Sequence, residues 1–255
     1  MNRINQLFEK KKNNILSIYF TAGFPQLNDT ATIIRSIEAS GADMIEIGMP
    51  FSDPLADGPV IQDSSSKALK NGMSLKILFE QLKDIRKQVN IPLLLMGYLN
   101  PVFKFGFEDF CKKCNDVGID GLIIPDLPID EYLETYQPIM RKYNLHNIFL
   151  ITPQTKDDRI RKIDSISKGF IYVVSSFSTT GSGKGLEQSQ QYFERISNMK
   201  LKNPTVVGFG IKDKATFDNA CQYANGAIIG TAFVKILEQD GKFENKIGEF
   251  IKTIR

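Results

Sequence analysis

The chain has no tryptophan, one histidine and three cysteines in 255 residues. With so few thiols and imidazoles a Cys/His zinc centre lacks ligands. His146 has no Ser or Cys partner motif and reads as a structural residue at a strand end. An odd, low cysteine count argues against a disulfide framework and suits a reducing cytosol, so a cytoplasmic location is expected. Cys111 and Cys114 form a C-x-x-C, but inside a helical pattern and not at a strand–helix redox turn. Neither sign of charge dominates: 32 basic against 29 acidic residues give a net charge of +3, no basis for nucleic-acid binding. The Lys10-Lys11-Lys12 run reads as a solvated helix end. No stretch approaches the roughly 20 apolar residues of a membrane span. Met1 to Lys12 lacks a signal-peptide core.

What is present is a regular alternation of strand and helix. Eight short apolar runs occur, at Ile15–Phe20, Met44–Ile47, Ile91–Met96, Gly121–Ile124, Asn147–Ile151, Phe170–Val174, Thr205–Gly208 and Ala227–Ile229. Several are almost continuously apolar, as in strands covered on both faces. Amphipathic stretches separate them: Thr30–Ala39, Ser74–Gln88, Phe107–Val117, Glu131–Tyr143, Asp158–Ile166, Gln188–Met199 and Lys214–Gln222. The pattern predicts an α/β protein, a (β/α)8 TIM barrel formed by a single domain over residues 1–255. Met1–Lys12 and Phe243–Ile254 read as extra helices that plug or flank the barrel. An open doubly wound sheet is the alternative, but the first turn, Thr21-Ala22-Gly23-Phe24-Pro25, lacks the glycine fingerprint such sheets carry.

The chemistry concentrates after the second run. Glu46 stands among apolar strand residues, and a loop stiffened by Pro50, Pro54 and Pro59 presents Asp53 and Asp57. A carboxyl in an apolar strand facing one on a constrained loop has the two different environments that acid–base chemistry needs. A second long loop, Ser175 to Glu187, is rich in glycine and hydroxyls and reads as a mobile lid. Loops 2 and 6 of the barrel are thus the extended ones. At the last strands Gly210, Gly230 and Thr231, with Gly181 on loop 6, offer backbone N–H groups and a hydroxyl for a phosphate. No metal site is expected.

The segment Glu46-Ile47-Gly48-Met49-Pro50-Phe51-Ser52-Asp53-Pro54-Leu55-Ala56-Asp57-Gly58-Pro59-Val60-Ile61-Gln62 resembles that of the tryptophan synthase α-subunit family. So do Phe20-Thr21-Ala22-Gly23, Met96-Gly97-Tyr98-Leu99-Asn100-Pro101, Pro125-Asp126-Leu127-Pro128, Tyr172-Val173-Val174-Ser175, Gly208-Phe209-Gly210-Ile211 and Gly226-Ala227-Ile228-Ile229-Gly230, in the family's order. The resemblance spans the chain. It implies cleavage of indole-3-glycerol phosphate to indole and glyceraldehyde 3-phosphate. It also implies a β-subunit partner in an α2β2 heterotetramer, with pyridoxal phosphate on the β subunit and no cofactor in this chain.

By the same resemblance Glu46 donates the proton to indole C3, Asp57 accepts the indole N–H, and the Tyr172 phenol assists. Tyr19, Met96, Ile123 and Phe209 form the indole slot. Thr180 meets the Asp57 loop on closure. Pro50, Asp53, Asn100 and Pro128 face the partner. Two departures stand out: Ser178 replaces a lid glycine of the family, and Thr231 replaces a serine at the phosphate site.

Overall fold

The computed structural model describes residues 1–175 and 183–255. Its strands are β1 (Ile15–Thr21), β2 (Met44–Gly48), β3 (Leu93–Met96), β4 (Gly121–Ile123), β5 (His146–Asn147), β6 (Phe149–Ile151), β7 (Ile171–Val174), β8 (Thr205–Gly208) and β9 (Gly226–Ile229). All pair in parallel, in the order β5-β4-β3-β2-β1-β9-β8-β7-β6. The two ends of that order, β5 and β6, are consecutive pieces of one extended run. Ile148 joins them and donates its N–H to Leu122 O at 2.8 Å. The result is a nearly closed TIM barrel of nine parallel strands. Most strand ends fall within a residue or two of the expected runs, and one run differs in kind. The fifth run is two strands, because the chain changes neighbour at Ile148, pairing with β4 before it and β7 after it.

The helices are α1 (Arg3–Lys10), α2 (Thr30–Ala39), α3 (Pro59–Lys70), α4 (Leu75–Leu82), α5 (Leu99–Phe105), α6 (Phe107–Val117), α7 (Ile129–Glu131), α8 (Gln137–Lys142), α9 (Asp157–Ile166), α10 (Gly183–Asn198), α11 (Lys214–Cys221), α12 (Thr231–Leu237) and α13 (Phe243–Ile254). A π-helical turn, Tyr132–Tyr136, joins α7 to α8. The stretch expected as one helix over Ser74–Gln88 stops at Leu82 and resumes as a short 3-10 turn, Ile85–Lys87. Arg86 in that turn reaches away to the strand starts. Its guanidinium bonds Gly118 O, Ile91 O and Asp120 Oδ2. No helix among the described residues is long and apolar enough to cross a membrane.

The two-residue strand period sorts side chains into two cores. Ile15, Met44, Leu94, Ile123, Phe170, Tyr172, Val206 and Ile228 point into the barrel. Leu16, Ile18, Phe20, Ile45, Ile47, Leu93 and Leu95 pack outward against the helices. The amphipathic helix α1 closes the N-terminal end of the barrel with Ile4 and Phe8. A Cβ at Gly121 or Gly169, both at strand starts, would press on Ile4. Asn5 bonds His146 at 2.5 Å on the same end. Lys11 is not merely solvated, since it pairs with Asp43 at 2.7 Å. Cys111 and Cys114 are buried in the outer core on α6.

Candidate active site

Glu46 lies mid-way along β2 with its Cα paired to Tyr19 on β1 and Leu94 on β3. The strand period turns it inward, and it is 0% exposed. Its Oε1 accepts a hydrogen bond from Ser17 Oγ at 3.0 Å. Its Oε2 has no partner among the described residues. Burial pushes the carboxyl up to about 8, with the Ser17 bond opposing. A neutral acid at physiological pH is the consequence.

Asp57 stands on the loop between β2 and α3, half-buried. Tyr98 Oη donates to its Oδ2 at 3.2 Å and accepts from Ala56 N at 3.0 Å. The Tyr98 ring rests on Phe51, 5.2 Å between centroids. Burial raises the Asp57 carboxyl from its ordinary value while the Tyr98 bond pulls it down. Pro59 ends the loop at the first turn of α3, where a missing N–H costs nothing.

Two tyrosines lie close enough to feel both carboxyls. Tyr19 and Tyr172 are both held well above the ordinary phenol range, first by burial and then by the charges of Glu46 and Asp57. Both phenols therefore stay protonated and can donate. Each needs a glycine opposite. A Cβ at Gly48 would collide with Tyr19 Oη, and one at Gly208 with Tyr172 Oη. Tyr172 also packs edge-on against Phe209, 6.4 Å between centroids. Phe209 itself holds φ at +69°, a rare conformation for a bulky side chain, and Gly210 follows at +73°. Ser175 Oγ secures that turn by donating to Phe209 O at 2.7 Å.

Two cavities of about 310 and 620 Å³ open at the C-terminal strand ends and share Tyr19, Ala56, Asp57, Met96 and Phe209. The larger one runs from Tyr172 and Ile228 to Gly210, Gly230 and Thr231. Of the predicted residues, Tyr19, Asp57, Met96, Tyr172, Phe209, Gly210, Gly230 and Thr231 line these cavities, while Pro50, Asp53, Asn100 and Pro128 line neither. Ile123 belongs to the fully buried barrel interior and lines neither cavity. Glu46 lines neither cavity, although its strand partner Tyr19 lines both. Thr180, Gly181 and Ser178, and with them the lid reading of loop 6, lie outside the described residues. Sequence reasoning missed Tyr98 as the partner of Asp57, and Lys212 and Lys235, which line the larger cavity near Gly210 and Thr231. The signal for the lysines was available. Each lies within a few residues of a glycine already assigned to the phosphate.

Comparison with known proteins decides what this barrel is. A family model described as "Tryptophan synthase alpha chain" matches residues 4–253. The chain belongs to this family. It is 60% identical over 255 residues to the tryptophan synthase alpha chain of Flavobacterium psychrophilum, covering 100% of both chains. It is 55% identical to that of Phocaeicola vulgatus, again over 100% of both. Among solved structures it is similar to the alpha chain from Legionella pneumophila, with TM-score 0.88, 32% identity and 100% and 96% of the two chains covered. It also resembles tryptophan synthase from M. tuberculosis in an aminoacrylate-bound form, with TM-score 0.87, 26% identity and 100% and 98% covered. The reaction of this subunit is the retro-aldol cleavage of indole-3-glycerol phosphate to indole and glyceraldehyde 3-phosphate, a carbon–carbon lyase step. Indole then passes to the β subunit for tryptophan synthesis.

Proposed function

We propose that Glu46 and Asp57 divide the chemistry of this lyase. Indole is a poor leaving group until its C3 is protonated. Glu46, neutral because it is buried, delivers that proton. The ring becomes an indolenine cation whose N–H hydrogen-bonds the Asp57 carboxylate. The side-chain hydroxyl next to the scissile bond then gives up its proton, and the carbon–carbon bond breaks. Its electron pair returns to C3 and restores the indole, while the departing carbon becomes an aldehyde. Glu46, now a carboxylate, takes the hydroxyl proton, so the enzyme ends as it began.

The remaining residues position the substrate. Tyr172 donates from its phenol beside Glu46. Tyr19, Met96 and Phe209 hold the indole, with Ile123 supporting them from below. Gly210, Gly230 and Thr231 bind the phosphate with Gly181 on the sixth loop, and Thr180 meets the Asp57 loop on closure. The chain works as one domain, holds no cofactor, and acts in the cytoplasm. Its partner is a β subunit that carries pyridoxal phosphate, in an α2β2 assembly. Pro50, Asp53, Asn100 and Pro128 face that subunit. Supporting this, Leu55 and Phe103 are 90% and 67% exposed on the same end of the barrel.

The observation that carries the reading is Glu46, fully buried with a raised proton affinity and paired along the sheet with Tyr19, which lines both cavities. The test is indole release by the purified chain, alone and with the β subunit, for wild type, Glu46→Gln and Asp57→Asn. The reading expects weak activity alone, a large rise with the partner, and loss in both variants. Strong activity with no response to the partner would instead describe a free-standing lyase. An Asp53→Ala chain that loses basal activity yet keeps its response to the β subunit would remove Asp53 from the interface.

A further inference from the structure

Ser17 has no part in the mechanism above, yet it is the one hydrogen-bond partner Glu46 has among the described residues. Its position is unusual. The strand period turns it into the barrel one layer below Tyr19, with Cα partners Met44 on β2 and Ile228 on β9. The interior around it is built from Met44, Leu94, Phe170, Val206 and Ile228. A fully buried hydroxyl in such surroundings needs a partner, and the Glu46 carboxyl supplies it.

The bond is asymmetric. A serine hydroxyl that donates to Oε1 makes that oxygen the carbonyl-like end of a neutral carboxyl. The acidic hydrogen then belongs on Oε2, which is buried and unpartnered. Relying on the assignment of Glu46 as the acid, we propose that Ser17 is a positioning residue for this lyase, fixing the carboxyl through Oε1 so that Oε2 carries the transferable proton. Ser17 touches no substrate in this scheme and acts only through Glu46.

The other groups facing Glu46 do not duplicate the role. Tyr19 on β1 and Tyr172 on β7 are its titratable neighbours, and Asp57 faces both tyrosines from the loop. From β3, β8 and β9 the interior side chains are apolar: Leu94, Met96, Val206 and Ile228. The hydroxyl bond favours the ionised carboxyl, so removing it raises the proton affinity of Glu46 further.

The experiment uses the α–β complex with 13Cδ-glutamate in the α chain, Glu46→Gln identifying the signal. Ser17→Ala, Ser17→Thr and Ser17→Val are compared, since Thr and Val share a shape and differ by the hydroxyl. Ala and Val are expected to move the Glu46 titration upward by about one pH unit. The alkaline limb of kcat should move with it, and kcat below the limb should fall about tenfold with KM unchanged. Thr should restore both. A titration unmoved in Ala and Val would overturn the proposal, as would a kcat that rises on losing the hydroxyl. If the titration moves but the kcat limb does not, the contact is real and Glu46 is not the acid, so the assignment beneath the proposal fails instead. Variants that lose kcat equally at Thr and Val, with no shift in either titration, would reduce Ser17 to packing.

Discussion

Tyr98 and Asp57 lie 41 residues apart in sequence, yet Tyr98 Oη donates to Asp57 Oδ2 at 3.2 Å. The same oxygen accepts the N–H of Ala56. One phenol thus holds both a carboxylate and a backbone N–H of the loop between β2 and α3. Tyr98→Phe keeps the ring on Phe51 and removes only the bonds. Asp57 then loses a donor that favours its ionised form, so its proton affinity rises. The acid limb of kcat/KM should move to higher pH, and kcat/KM at neutral pH should fall about tenfold. A pH series on the variant checks both.

Glu46 should make the protein less stable as pH rises. Its folded pKa, about 8, exceeds the unfolded value of 4.5. Between those values the folded state binds the extra proton, so stability declines with pH through this window and levels off above it. Glu46→Gln, a permanent mimic of the neutral acid, should escape the decline. The gap in Tm between variant and wild type should be small near pH 4.5, widen towards pH 8 and hold beyond it. Thermal melts across that range measure it.

The phenol of Tyr172 occupies the space a side chain at residue 208 would need. Gly208→Ala should therefore displace Tyr172, with a cost of about 1–3 kcal/mol from overpacking. Indole release should fall well beyond what the stability loss explains. Tyr172→Ala in the Gly208→Ala background tests the cause, because the ring carbons Cε1 and Cζ collide nearly as closely as the hydroxyl, and with the whole ring gone Gly208→Ala should cost much less stability.

Lys212 and Lys235 are exposed and line the cavity beside the proposed phosphate turns. Each substituted by Ala should raise KM for the phosphate substrate a few-fold and leave kcat intact. The effect should fade at high ionic strength, where an exposed charge is screened. Steady-state kinetics at two salt concentrations separate this from a structural defect.

Phe8→Ala opens the opposite end of the barrel. Phe8 packs on Phe170 at 5.9 Å between ring centroids. Truncation should cost about 3–5 kcal/mol and lower Tm, while kcat in the folded fraction is unchanged. Denaturant titration beside a kinetic assay would show it.

The strands were legible because both their faces are covered, which leaves short apolar runs that no helix face imitates. Glu46 stood out for the converse reason, as a carboxyl between the apolar strand residues Ile45 and Ile47, and Asp57 stood out on a loop stiffened by Pro50, Pro54 and Pro59. Helix α3 was not anticipated, since its buried side includes Ser64 and Ser65 in place of a clear apolar stripe. Ser64 Oγ is in hydrogen-bond contact with Thr21 Oγ1 at 2.6 Å and donates to Ile61 O at 2.8 Å. Helix α5 was not anticipated either, and it begins at Leu99-Asn100-Pro101. The break at Ile148 was invisible because a strand that changes neighbours has the same composition as one that keeps them. The contacts of Ser17 and Tyr98 depend on strands brought side by side. Period two places Ser17 on the same face as Tyr19, but only register reveals that Glu46 meets it.

Helix α1 leaves the barrel with a floor. Ile4 and Phe8 fill one end, and among the described residues the two cavities open at the opposite, C-terminal rim. On the proposed mechanism indole is released at that rim. Whatever settles on that rim controls the fate of indole. An uncovered rim lets it escape to solvent, and a covered one turns escape into delivery.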